Sequence, residues 1–285
     1  MDRLSLVKEF INSYNNGNFN DFLPVIEERK PYGLGFGSLY HSIHCNNKMV
    51  SFYGKNVLEM GGALPCEYVF EILQPKNWTA VEYQGYDDNQ FQSSFLQKNL
   101  DYSYYDRGWK SFYESWKNND QEKFDIVYSI AAFEHIQNLG ECIDAIYDML
   151  NVGGKLYTSF MPIWSAPNGS HGFFPKLIGS GKSHEHLLYD FVSLQDLLIN
   201  THKISPNLAY KYAHDVYKSD QINRYTYEEY IHIFKHSRFK SKIIYPANLK
   251  TIQELYDPGK CLKISARYPG MINSCDGFVL LFTKN

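Results

Sequence analysis

The stretch Val57-Leu58-Glu59-Met60-Gly61-Gly62-Ala63, continued by Leu64-Pro65-Cys66-Glu67, constrains the fold of this chain more than any other. An apolar run ends in a carboxylate, two glycines and a proline, the pattern of a strand that breaks into a tight loop and restarts as a helix. Adjacent glycines let the backbone turn sharply and let a ligand lie against it. Proline is tolerated at the first helical position, where its missing N–H would have no partner in any case. In an α/β fold this junction is where a nucleotide-like ligand binds. A plain connecting turn has the same local pattern, so the rest of the chain has to decide between the two.

Spacing narrows the choice. Trp78 to Glu82 reads as the next strand, and Glu82 stands at its end, about twenty residues beyond Gly61, where a carboxylate accepts hydrogen bonds from ribose hydroxyls. The dinucleotide fingerprint requires glycines where this chain has Ala63 and Cys66, and no Lys-Ser or Lys-Thr pair closes the loop as a P-loop would. A nucleoside-bearing ligand is therefore expected, and NAD is disfavoured.

Elsewhere the chain alternates strand and helix. Leu4, Val7, Phe10 and Ile11 recur at helical spacing, and a second helix is expected near Phe22 to Glu28. The glycines of 31–38 read as a connector or as a lid. His41, His44 and Cys45 lie close in sequence without a second ligand cluster. A short strand is expected at Tyr102 to Tyr105, a helix at Trp109 to Lys117 and a strand at Phe124 to Ile130. Leu139, Ile143, Ile146 and Leu150 mark another helix, which Gly153-Gly154 is expected to stop before a strand at Lys155 to Phe160. The rhythm then breaks for about sixty residues, with a helix start expected at Ser193. It resumes at the capping box Thr226 to Glu229, which opens a helix to about His236. Strands follow at Ser241 to Tyr245 and Gly277 to Thr283. The predicted architecture is α/β with a mainly parallel sheet.

Composition excludes several classes. A formal net charge of −3 over 285 residues gives no dominant grip on nucleic acid. No apolar run of about 18 residues is present to span a bilayer. Met1 to Glu9 carries charges through its apolar stretch, unlike a signal peptide. Five scattered cysteines without a C-x-x-C pair fit reduced thiols, so a cytoplasmic protein is expected. Aromatics are abundant, with 24 tyrosines; most pack in cores, and flat ligands also favour such surfaces.

The series VLEMGGA, AVE, FDIVYSIAAFEHI, LNVGGKL and FMPIWSAPNGSH resembles the class I S-adenosylmethionine-dependent methyltransferases, in that family's order, over about residues 50 to 170. The resemblance implies a Rossmann-like, seven-stranded, mostly parallel sheet with an antiparallel carboxyl-terminal strand and helices on both faces. It would carry an N-terminal helical segment (1–50), a cofactor-binding core (51–162), an inserted substrate cap (163–225) and a closing unit (226–285). S-adenosyl-L-methionine is the implied cofactor. Glu59 would serve its methionine end, Gly61 and Gly62 its close approach and Glu82 its ribose, while Ser129 and Ala131 would border the reactive end through backbone groups. Asp106 is a candidate for the family's acid near the third strand. Ala63 and Pro65 depart from the usual glycine pattern, so the loop is expected to differ in shape there.

Glu134-His135 matches an acid-histidine pair that many members carry after the fourth strand, and Trp164, Ser165 and His171 resemble an element of glycan-modifying members. His135 and His171 are candidate bases for a hydroxyl acceptor; a helix cap and a surface histidine are the plain alternatives. Glu134, Trp164, His184 and His186 are candidate substrate contacts, with core packing the favoured alternative for Trp164. Methyl transfer from a sulfonium needs no metal in general, and none is expected. The expected activity is O-methylation of a small polar acceptor such as a sugar, nucleotide sugar or surface-glycan precursor. Alternatives are a non-catalytic binder of the same cofactor, or a methyltransferase acting on nitrogen, carboxyl or phosphate oxygen. Oligomeric state is not encoded in any motif.

Overall fold

The computed structural model describes residues 3–17, 42, 48–61, 64, 68–81, 102–105, 108–119, 122–178 and 184–285. The expectations for Phe22 to Glu28, the 31–38 loop, His41, His44, Cys45, Gly62, Ala63, Pro65, Cys66, Glu82 and Asp106 lie outside the described residues.

Helix α1 (Arg3–Asn15) precedes the sheet. Strand β1 (Asn56–Met60), a π-helical turn (Val69–Leu73) and strand β2 (Asn77–Val81) form the first crossover unit. Strand β3 (Tyr102–Tyr105), helix α2 (Gly108–Asn118), strand β4 (Phe124–Ile130), helix α3 (Leu139–Met149) and strand β5 (Leu150–Phe160) complete the parallel part. After the cap, which contains helix α4 (Pro206–Tyr217), come helix α5 (Tyr227–His236), strand β6 (Ser241–Ala247), helix α6 (Pro258–Arg267) and strand β7 (Gly277–Thr283). The seven strands lie in the order β3-β2-β1-β4-β5-β7-β6. Strand β7 runs antiparallel to both of its neighbours, β5 and β6.

The pattern follows from burial. All five residues of β1 are buried, and β4 is buried at all but Asp125. Strands covered on both faces need near-continuous apolar runs, which VLEM and IVYSI supply apart from Glu59 and Ser129, whose side chains are hydrogen-bonded. One face packs Phe133, Ile143, Ile146, Phe160, Tyr230, Phe234 and Phe278 under α3 and α5. The other packs Phe52, Tyr68, Trp78, Tyr128 and Tyr157, with Ile11 and Tyr14 of α1 laid against them. A third core, around Trp164, Phe174, Leu187, Leu198 and Ala213, belongs to the cap and also takes Ile252, Ile264 and Met271 from the segment between β6 and β7.

Two local expectations are corrected. Helix α3 ends at Met149, and β5 begins at Leu150 and runs through the glycine pair. Gly153 has φ +79° and its N–H donates to the carbonyl of Lys284, so the pair serves an irregular strand start and does not stop the helix. In the cap, Ser193 is the third residue of its helix: Asp190 is the N-cap, accepting from the Ser193 N–H in a capping box. The box at Thr226 and Glu229 is as read from the sequence.

Strand β7 meets β5 with no room at its start. A Cβ on Gly277 would lie 2.1 Å from the Phe160 carbonyl oxygen and 2.6 Å from Met161 Cβ. Gly277→Ala is therefore expected to destabilise the fold by about 2–3 kcal/mol, seen as a lower urea midpoint. An unchanged midpoint would contradict this packing.

Candidate functional site

The site is built where β4 ends. Ser129 donates its hydroxyl to the Met60 carbonyl oxygen at 3.0 Å, tying the ends of β1 and β4 together. The chain then turns sharply at Ala131, which has φ +51° and is exposed, with its N–H donating to the Ser159 carbonyl oxygen. A non-glycine residue in the left-handed region costs about 1–2 kcal/mol. Phe133, fully buried against Phe160 at 5.6 Å between ring centres, anchors the short helical turn Phe133–His135 that follows.

That turn is strapped from the far side by the end of the cap. Asn223 donates through Nδ2 to the carbonyls of Phe133 and Ile136, accepts through Oδ1 from the Tyr230 hydroxyl, and donates its N–H to the Glu134 carbonyl. Gln221 offers its carbonyl oxygen to His135 Nδ1. Asn223 and Gln221 carry no sequence signal: they sit in Ser-Asp-Gln-Ile-Asn-Arg, which has neither periodicity nor motif. Asn223→Ala would leave two buried carbonyls and a buried hydroxyl short of a partner. Its expected cost is about 3 kcal/mol, read as a lowered urea midpoint; a cost below about 1 kcal/mol would remove Asn223 as the strap.

His171 arrives from the loop after β5. The loop folds back tightly at Gly169, where a Cβ would lie 2.3 Å from the Trp164 carbonyl oxygen. His171 itself has φ +52°, and its Nδ1 lies 3.1 Å from the Gly169 carbonyl oxygen. The result is that the two candidate bases meet: the rings of His135 and His171 are 5.2 Å apart. Glu134 joins them, with Oε1 4.0 Å from His135 Nε2. One ligand atom from each of the three side chains lies within 4.8 Å of the others.

The electrostatics follow from burial. Burial pushes the Glu134 carboxyl up to about 8, against hydrogen bonds from its own N–H and that of Met161. It pushes His171 down to about 4 and lowers His135, the carbonyl of Gln221 opposing it. Because a carbonyl oxygen only accepts, the proton of each neutral ring belongs on Nδ1 and the lone pair on Nε2. Glu134 Oε2 and His171 Nε2 are buried without a hydrogen-bond partner.

The glycine loop sits beside this cluster. Gly61 has φ +78° and its N–H donates to the Val81 carbonyl at 2.7 Å. A Cβ there would lie 2.7 Å from Ala132 Cβ, so bare backbone passes the end of β4. Glu59, expected at the cofactor's methionine end, is 2% exposed, and its carboxylate accepts from the Leu64 N–H and from Trp78 Nε1.

Three substrate-side candidates lie in the interior of the cap; for Trp164 this is the core-packing reading. Trp164 is buried in the cap core, edge-on to His186 at 4.6 Å. His186 is fully buried and donates from Nε2 to the Trp164 carbonyl, and burial pushes it down to about 3. His184 bonds the Ser165 carbonyl, the Ser274 hydroxyl and the Tyr256 hydroxyl. Trp164 and His186 hold the cap together, and His184 ties it to the segment between β6 and β7. Short sequence spacing brought them to notice, and burial, which spacing does not report, decides their role.

A family model described as a methyltransferase domain matches residues 113–158. A comparison with curated proteins gives no match. Among solved structures, a putative S-adenosylmethionine-dependent methyltransferase from Listeria monocytogenes is similar at 11% identity and a TM-score of 0.45, over 86% of this chain and 98% of that one. An S-adenosylmethionine-dependent methyltransferase from Mesorhizobium loti gives 10% identity and 0.46, over 84% and 96%. The plantazolicin methyltransferase BpumL, in complex with a monoazolic desmethylPZN analog and SAH, gives 10% identity and 0.44, over 99% and 96%.

Proposed function

We propose that this chain, a class I S-adenosylmethionine-dependent methyltransferase by its strand order and by the family match over residues 113–158, methylates a hydroxyl oxygen of a small polar acceptor. A sugar, nucleotide sugar or glycan precursor is the first class to test. The observation that carries this reading is the convergence of Glu134, His135 and His171 at the end of β4, next to the Gly61 turn.

The cofactor fits that turn because Gly61 brings backbone without a side chain against Ala132, and exposed Ala131 borders the same edge. Glu59 holds the loop by its bond to the Leu64 N–H. Gly62 and Glu82 complete the proposed set, on the loop and at the ribose. When bound, S-adenosylmethionine supplies an electrophilic methyl group on a sulfonium sulfur.

The chain's own task is to align the acceptor oxygen and draw off its proton. Neutral histidines whose Nδ1 protons are held by the Gln221 and Gly169 carbonyls present Nε2 as the accepting atom. Lone pairs on the Nε2 atoms of two converging histidines call for donors, and neighbouring hydroxyls of a sugar supply more than one. A carboxylate or phosphate acceptor brings only further lone pairs and negative charge to a buried acid. We place the protein in the cytoplasm, as a binder of small molecules and not of nucleic acid. No helix among the described residues is long and apolar enough to cross a membrane, and Cys142, Cys261 and Cys275 are free thiols.

The test is formation of S-adenosylhomocysteine with a panel of sugars, nucleotide sugars, amines and carboxylic acids. Turnover confined to hydroxyl acceptors is expected. Turnover only with amines or acids would overturn the hydroxyl reading. No turnover together with no calorimetric binding of S-adenosylmethionine would overturn the whole.

A further inference from the structure

We infer that Glu134, His135 and His171 form a binding site for a divalent transition-metal ion, with zinc the ion that best suits two imidazoles and one carboxylate. One ligand atom from each lies within 4.8 Å of the others, and at the tautomers set by the Gln221 and Gly169 carbonyls the facing nitrogens carry lone pairs. A carboxylate and two such nitrogens are all acceptors. Glu134 Oε2 and His171 Nε2 are each buried with no hydrogen-bond partner, whereas buried polar atoms in folded proteins usually find one. A cation would satisfy these lone pairs together, displacing the proton that the Glu134 carboxyl otherwise holds.

The surroundings are those of metal ligands. Histidines that bind metals give their other ring nitrogen to a carbonyl or carboxylate, which fixes the tautomer and aims the ring, and both histidines do so here. His135 is aimed through a turn that Asn223 straps down, and His171 through the Gly169 fold. Three protein ligands with an open fourth position is the pattern of a reactive zinc site. Zinc bonds of about 2.0–2.2 Å place ligand atoms roughly 3.4 Å apart, so the observed 4.0 Å between Glu134 Oε1 and His135 Nε2 closes with a small movement of the half-buried His135 ring. Soft sulfur ligands are absent from the group, and the nitrogen pair disfavours magnesium and calcium.

The open position would face the acceptor. A hydroxyl coordinated there is acidified by the cation, the same task that the histidines perform in the scheme above. That consequence rests on the methyltransferase reading, whereas ion binding itself rests on the cluster alone.

The experiment is calorimetric titration of zinc ion into chelator-treated full-length protein, with cobalt(II) absorption as a second readout and neither cofactor nor acceptor present. One tight equivalent is expected. Glu134→Gln and His171→Ala are each expected to weaken it by at least about a hundredfold, while S-adenosylhomocysteine binding reports that the fold survives. A second arm removes the exposed His232 and His236, whose rings stack at 4.0 Å one helical turn apart and would collect zinc at the surface. His232→Ala/His236→Ala is expected to leave the tight equivalent intact. No saturable binding by the wild type, or binding lost in the His232/His236 variant and kept in the other two, would overturn the inference. Because this readout involves no methyl transfer, its failure is separate from failure of the proposed reaction.

Discussion

His171→Ala is expected to lower kcat for methyl transfer by about 10²–10⁴-fold with little change in the affinity for S-adenosylhomocysteine. The ring sits 5.2 Å from that of His135 and enters on the loop after β5, whereas the glycine turn belongs to β1, so the two functions reside on different elements. His135→Ala is expected to cost a similar factor, since its ring faces Glu134 and His171 together. Groups that act as one unit are strongly non-additive. The double variant should therefore be little worse than the poorer single one. If each single variant loses less than about tenfold in kcat, the cluster is not where the acceptor's proton goes.

The sheet was legible because its central strands are buried on both faces. That condition forces continuous apolar runs such as FDIVYSI, whose ends coincide with β4, and leaves little freedom in where a strand starts. The third strand, Tyr102–Tyr105, was harder to read, because aromatics and charges crowd the sequence around it without a clear period. Helix boundaries at caps were legible only where the capping residue is also the first polar break. Thr226 satisfies this and Asp190 does not, because Ser193 offers an equally good pattern three residues later.

The site was legible in its parts and not in its assembly. Glu134 and His135 are adjacent in sequence, but nothing local brings His171 to them; that depends on the Gly169 fold and on the strap from Asn223. The same limit applies at Trp164, His184 and His186. Their spacing resembles a binding element, yet the cap closes over them: His184 reaches Tyr256, beyond β6, and Trp164 packs among residues that reach as far as Met271. Polar type suggested surface, and hydrogen bonds to backbone carbonyls made burial affordable in the physical sense of an acceptor for each buried donor.

Gly61→Val is expected to weaken S-adenosylhomocysteine binding by at least about a hundredfold. Two costs coincide at this position. The backbone is left-handed, φ +78°, which disfavours an L-residue by about 1–2 kcal/mol and a β-branched one more strongly. The side chain would also begin 2.7 Å from Ala132 Cβ, an overlap that costs about 1–3 kcal/mol where neighbours cannot yield. Ala132 has little freedom to yield, because Phe133 beside it is locked in the core and the Ala131 N–H is bonded to β5. The loop must then lift from the end of β4, and the surface that receives the cofactor goes with it. Gly54 provides the control. It too is left-handed, φ +67°, but a Cβ there meets nothing within 4 Å, so Gly54→Ala should cost only about 1 kcal/mol of stability and leave cofactor affinity unchanged. Wild-type affinity in Gly61→Val would mean that the cofactor does not lie against this turn, and the assignment of the β1 loop would fall.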